Sequence, residues 1–211
     1  MSETKWATNG ATENGRWYQN FNLHLTSPWV ILNTIDKGVD SKFQRVGSNI
    51  RIKRFTYRFE IWFSPDDAAN LDANIPVRFL HIRSINDVTP LDAISNNQQL
   101  FDPEYSTISG SFLTSFINNK EFKVVTDKWW VLNPLVTITT PNSVTSGQPM
   151  VKLYKKSHRI NKTVKYNDTS LANGNNINFD LRDYFLFIWD DGVAASTFNI
   201  RWSARYSYTD I

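Results

Sequence analysis

The sequence predicts an all-β fold built from two packed sheets. Three observations predict it. The 211 residues are 41% hydrophobic and 14% aromatic, with eight Trp, enough to fill one good-sized core. Several segments alternate apolar and polar residues with the two-residue period of a half-buried strand. Between them lie spacers rich in Asn, Asp, Ser, Pro and Gly, the residues of turns.

The elements follow in order. A polar segment, residues 1–15, is expected to stand apart as a loose N-terminus, with a single domain over 16–211. "WYQNFNLHL" places Trp17, Phe21, Leu23 and Leu25 on one parity and reads as a strand. A long connection follows, with a short helical turn after Pro28. "NIRIKRFTYRFEIWF" carries the strongest strand signal. Its apolar parity changes midway: Ile50 and Ile52 are even, whereas Phe55, Tyr57, Phe59, Ile61 and Phe63 are odd. A β-bulge near Lys53–Arg54 produces such a phase change. "IPVRFLHIRSI" is the next strand. "TPLDAISNNQ" reads as a short helix and the stretch to about Asn119 as a long loop, of the kind used for function or contact.

"EFKVVTDKWWVL" is a strand, followed by a turn-rich stretch through Pro149. Next comes a basic strand inside "MVKLYKKSHRINKTVKYND", then "NNINFDL" and "YFLFIWD". In "STFNIRWSARYSYTD", Phe198, Ile200, Trp202, Ala204, Tyr206 and Tyr208 face one way and Asn199, Arg201, Ser203, Arg205 and Ser207 the other. Eight strands with long spacers suit a two-sheet sandwich or jelly roll better than a tight up-and-down barrel.

Little in the chain points to catalysis. It has no Cys, which excludes disulfides and Cys-based metal sites. It contains no GxSxG, phosphate-binding loop or GxGxxG. His24, His81 and His158 lack metal-ligand spacing. The pairs Asp66-Asp67 and Asp190-Asp191 read as turn residues, and Ser109-Gly110-Ser111 as a loop without a base. No enzyme activity, cofactor or metal is expected. No segment is apolar for long enough to span a bilayer, so membrane insertion is not expected.

The charge distribution says more than its sum. The net charge is +3, yet Met150–Asp168 holds six Lys or Arg and no acid before its last residue. Lys152, Lys155, Lys156, Arg159, Lys162 and Lys165 suit either a solvated edge strand, where lysine blocks mispairing, or contact with a polyanion. Cations on both parities favour an exposed edge or a turn within the segment. Arg51, Lys53, Arg54 and Arg58 form a second cluster with the same two readings. Trp29, Phe101, Tyr105, Trp129 and Trp130 are candidate anchors of a subunit interface, and adjacent Trp129 and Trp130 should face opposite ways.

Taken in series, these segments resemble the capsid proteins of circular Rep-encoding single-stranded DNA viruses, the circovirus-like group. "RVGSNIRIKRFTYRFEIW" resembles their R-x-G-x-x-I-x-[IV]-x-x-[LF] stretch. "IPVRFLHIRSI", "FKVVTDKWWVLNP", "VKLYKKSHRINKTVKYND", "YFLFIWDDGV" and "FNIRWSARYSYTD" resemble the later strands, over roughly residues 40 to 211. The resemblance implies an eight-stranded jelly roll in two four-stranded antiparallel sheets. It further implies self-assembly into a small icosahedral shell, most simply of sixty copies (T=1), around single-stranded circular DNA. Expected partners are the chain itself, single-stranded DNA and a host receptor. The expected locations are the virion and, during assembly, the host nucleus. Residues 1–15 depart from the arginine-rich arm with which such proteins begin: they hold one Lys, no Arg and two Glu. At +3 per chain, such a shell could not neutralise even its own gene, so particles of this chain are expected to be largely empty or to carry short heterogeneous nucleic acid. The rival readings are a jelly-roll carbohydrate-binding module or lectin, for which Trp, Tyr and Asn would serve, and a nucleic-acid-binding domain that does not assemble.

Overall fold

The computed structural model describes residues 4–14, 16–18, 21–39, 44–65, 75–86, 90, 100–102, 113–132, 136–140, 143–146, 151–166, 181–189 and 196–211. Its strands are β1 (Lys5–Asn14), β2 (Arg16–Tyr18), β3 (Phe21–Thr26), β4 (Asn49–Pro65), β5 (Ile75–Ser84), β6 (Phe122–Leu132), β7 (Val136–Thr140), β8 (Ser143–Ser146), β9 (Lys152–Lys165), β10 (Asp183–Trp189) and β11 (Ser196–Asp210). A 3-10 turn, Pro28–Thr34, opens on Pro28 as expected. One sheet has the order β1-β11-β4-β9 and the other β2-β3-β10-β5-β6, and every pairing is antiparallel. Set aside the short β2 and the separate β7–β8 hairpin, and eight strands remain. Counted along the chain, one sheet holds the first, eighth, third and sixth, and the other the second, seventh, fourth and fifth. That alternation is the jelly roll.

The number of strands agrees with the sequence reading, but their membership differs. Lys5–Asn14, set apart as a loose segment, pairs with β11 along its whole length. Its polar composition hid it because it is an edge strand with one face toward water. Gly10 allows its close seating: a Cβ there would collide with the Trp202 carbonyl oxygen of β11. "NNINFDL" (residues 175–181) lies almost wholly outside the described residues, as does the expected helix (residues 89–98) apart from residue 90; Asp66-Asp67, Asp190-Asp191 and Ser109-Gly110-Ser111 lie outside them too. The turn-rich stretch before Pro149 holds the β7–β8 hairpin.

The main core lies between the sheets. From β4 it takes Ile50 and Ile52, then Phe55, Tyr57, Phe59, Ile61 and Phe63. The register slips between Ile52 and Arg54 against β9, and between Ser207 and Tyr208 of β11 against β4. This is the bulge that the change of parity predicts, and the unpaired residue is Lys53. Across the layer, Tyr57 meets Phe185 at 4.6 Å and Phe59 meets Phe79 at 4.8 Å between ring centroids. Each fully buried ring of this kind contributes about 1.5–3 kcal/mol.

A second core lies on the outer side of the β10–β5–β6 region. Leu80, Ile82, Tyr184, Leu186 and Ile188 pack there against Leu100, Phe101, Leu113 and Ile117 from the long β5–β6 connection. Arg78, 5% exposed, pins that connection down. It donates to the carbonyls of Leu113 and Ser115 and pairs with Asp127 at 2.7 Å.

One buried carboxylate ties the two sheets together. Asp183 on β10 is 0% exposed. It accepts from His81 Nε2 at 2.8 Å, from Arg83 at 2.8 and 3.0 Å, and from the Tyr206 hydroxyl of the opposite sheet at 2.9 Å. Burial alone would raise its pKa, but the charges and hydrogen bonds of His81 and Arg83 outweigh it and hold the carboxyl below its usual range. Glu13 makes a second cross-sheet link, 3.2 Å from His24 Nε2 and accepting from the Trp202 indole at 3.0 Å.

His158 on β9 faces His81 with 5.1 Å between ring centroids. Burial, then the charges of His81 and Lys156, lower its pKa from 6.5 to about 4. An unfolded chain would therefore hold the extra proton between pH 6.5 and pH 4, so stability falls as pH falls through that window. Asp183 adds to the loss at lower pH, when its depressed carboxyl protonates. Thermal unfolding across this range should show the decline, and His158→Gln should flatten it between pH 6.5 and 4; an unchanged slope in the variant would refute the assignment. Asp183→Ala should cost about 3–5 kcal/mol in urea unfolding at neutral pH, because it strands Arg83 without its counter-charge.

Candidate functional site

The two sheets expose their outer sides differently. The second sheet is covered by the β5–β6 connection, whereas the first, β1-β11-β4-β9, turns its outer side to water. Alternation along its strands decides what that face carries. β4 contributes Arg51, Lys53, Arg54 and Arg58; β9 contributes Lys155, Arg159 and Lys165; β11 contributes Arg201 and Arg205. All nine are exposed. Among the described residues of this face the sole carboxylate is Glu60, 3.2 Å from Arg201.

The ladder sets like charges side by side. Arg54 lies directly opposite Arg159, and Arg58 directly opposite Lys155. Such cross-strand pairs are destabilising. Their nearby partners are neutral. Arg51 Nε donates to Asn161 Oδ1 at 2.9 Å, and Arg54 Nη1 donates to Ser157 Oγ at 3.2 Å. These contacts orient the guanidinium groups without cancelling their charge. Two open depressions result. One, of about 610 Å³, is lined by Arg51, Lys53, Arg54 and Arg159 with Asn161 and Ser207. The other, of about 570 Å³, lies over Arg58, Leu153, Lys155 and Arg201.

Seven of the ten cations singled out in the sequence share this face. The other three do not. Lys152 and Lys156 point to the inner side at the sheet edge, where Lys156 Nζ donates to Thr126 Oγ1 at 2.8 Å and Lys152 lies 5.8 Å from the Trp130 ring centroid. Lys162 is exposed opposite Ile52, where the register slips. β9 is an edge strand, which accounts for cations on both of its parities. Arg201 and Arg205 were legible as facing away from the core. Sequence spacing could not reveal that β11 pairs with β4 and so joins them to the Arg row.

The expected interface aromatics divide similarly. Phe101, 2% exposed, is spent inside the second core, which corrects its reading as a contact residue. Trp130 packs against Phe59, Phe79 and Tyr154 at the edge of the main core. Trp29 is half-buried, with Arg182 over its ring at 5.1 Å. Trp129 points the opposite way, outward, and is 45% exposed, beside Val131 at 59%. Tyr105 lies outside the described residues.

Chemically, this face can hold anions. Among the described residues no group of three or more His, Asp and Glu could hold a metal ion, and no helix is long and apolar enough to cross a membrane. No protein-family model matches the chain, and no curated protein matches it in sequence.

The repulsion on this face is measurable. Arg58→Gln, which relieves the pair with Lys155, should stabilise the protein by a few tenths of a kcal/mol at low salt. The gain should vanish near 1 M salt, where screening acts over about 3 Å. Paired urea titrations at the two ionic strengths check it, and a destabilised variant at low salt would contradict it.

Proposed function

We propose that this chain is a viral capsid protein resembling those of circovirus-like single-stranded DNA viruses, a structural protein rather than an enzyme. In this reading copies assemble into a small icosahedral shell of about sixty, the connections between strands pack across the symmetry axes, and the basic sheet face meets single-stranded DNA. The observation that carries it is the pairing of a jelly roll with one open sheet face of nine cations against one carboxylate. Phosphate contact needs such a face, and it needs no sequence-reading element because backbone charge is the same for every base. Trp129 and Val131, exposed on the edge strand β6, supply apolar area of the kind that anchors subunits.

Electron microscopy of the purified protein over a range of salt and pH tests the reading, with closed particles as the expected result. A monomer that persists throughout would sink it. Trp129→Glu should leave the monomer folded, since the ring is already 45% exposed, and should abolish particles. Unfolding curves and sedimentation separate the two effects. If instead the monomer binds oligonucleotides without ever assembling, the non-assembling nucleic-acid-binding domain replaces the shell.

A further inference from the structure

We propose that the paired irregularity of β4 and β9 is a discrete oxyanion site, built to take one phosphate group of a nucleic-acid backbone. The proposal deepens the nucleic-acid reading of the basic face and rests on it for the identity of the natural ligand. Its geometry stands on separate observations.

The first is the bulge. In an unbroken strand, consecutive residues point to opposite faces, so Lys53 and Arg54 could not both face outward. The slip at Ile52/Arg54 makes both exposed on the same side. The second lies on the facing strand. Asn161 has φ 57°, and it is the sole non-glycine residue with positive φ among the described residues. A left-handed conformation is costly for most side chains and best tolerated by Asn and Gly. Here it brings Oδ1 within 2.9 Å of Arg51 Nε. Arg159 stands directly opposite Arg54. Four cations thus line one depression of about 610 Å³ whose other walls are Asn161 and hydroxyl side chains, with no carboxylate among its described lining.

Two departures from regular pairing, on adjacent strands at the same rung, produce this concentration of charge. A solvated strand face needs neither of them. Their combined cost is recovered when an anion enters: a phosphate oxyanion accepts from several N–H donors at once, and guanidinium groups already oriented lose little freedom in binding it. Flat stretches of the same face would attract a polyanion only diffusely.

The experiment uses the full chain and two probes, inorganic triphosphate and a short oligothymidylate. Lys53→Gln with Arg159→Gln removes two charges from the depression. Lys123→Gln with Lys128→Gln removes two from β6, outside the face. Triphosphate should raise the thermal unfolding midpoint of the wild type and of the β6 variant but not of the depression variant. Without ligand, the depression variant should unfold no lower than wild type at low salt, which shows that it is folded. For oligothymidylate, the slope of log affinity against log salt should shrink by about 0.7 in the depression variant, the value for one lost phosphate contact on a single strand. The β6 variant should keep the wild-type slope. No response of the wild type to triphosphate, or equal loss in both variants, overturns the site. If triphosphate binds as expected and oligothymidylate does not bind, the site stands and the nucleic-acid reading falls. If oligothymidylate binds with an unchanged slope in the depression variant, the reading stands and the site falls.

Discussion

β10 is buried along its whole length on both sides, and that constraint organises the molecule. A strand with Phe185, Phe187 and Trp189 on one face and Tyr184, Leu186 and Ile188 on the other must be covered twice. One cover is the opposite sheet. The other is the β5–β6 connection, which lays Leu100, Phe101, Leu113 and Ile117 over the outer face. β11, its counterpart in the first sheet, alternates strictly and needs one cover only. The β10 and β5 centre of one sheet is therefore covered on both sides, and the other sheet keeps a broad face in water. The basic face is the one that the apolar residues left open.

Within the layer, polar groups add specificity to packing that aromatic contacts alone would leave less defined. Asp183 receives donors from its own sheet and a hydroxyl from the other, so the sheets are matched in register as well as in contact. A lone buried carboxylate would be expensive, and this one is tolerated because His81, Arg83 and Tyr206 all point at it. Arg45 does similar work at the edge. It is 1% exposed, donates to the carbonyls of Ile35 and Gly47, and lies 4.2 Å over the Tyr166 ring. Both groups belong to the scaffold. Counting every Arg and Lys as a surface charge would overstate the basic face by including Arg45 and Arg78.

The basic face itself is a conflict between local rules. Regular pairing would separate the cations, whereas the structure gathers them at a bulge and a left-handed Asn. Natural sequences tolerate such departures where something outside the fold repays them. The net charge of the whole chain is only +3, so the concentration of cations on this face is local. Local arrangement, and not total charge, makes this face basic.

The sequence alone determined the fold class, the bulge at Lys53 and the inward row of β11, because the two-residue period of a strand is a local property that parity records directly. It also determined that Trp129 and Trp130 part company. Only the tertiary structure decided that Lys5–Asn14 is a strand, since a polar edge strand has no apolar row to announce it. Only the structure brought Arg201 and Arg205 beside the β4 cations, sent Lys156 to Thr126, buried Phe101 and set His158 against His81. Each of these depends on which distant strands pair, on how the two sheets stack, or on which loop folds over which face. Such long-range pairings leave no trace in the spacing of neighbouring residues.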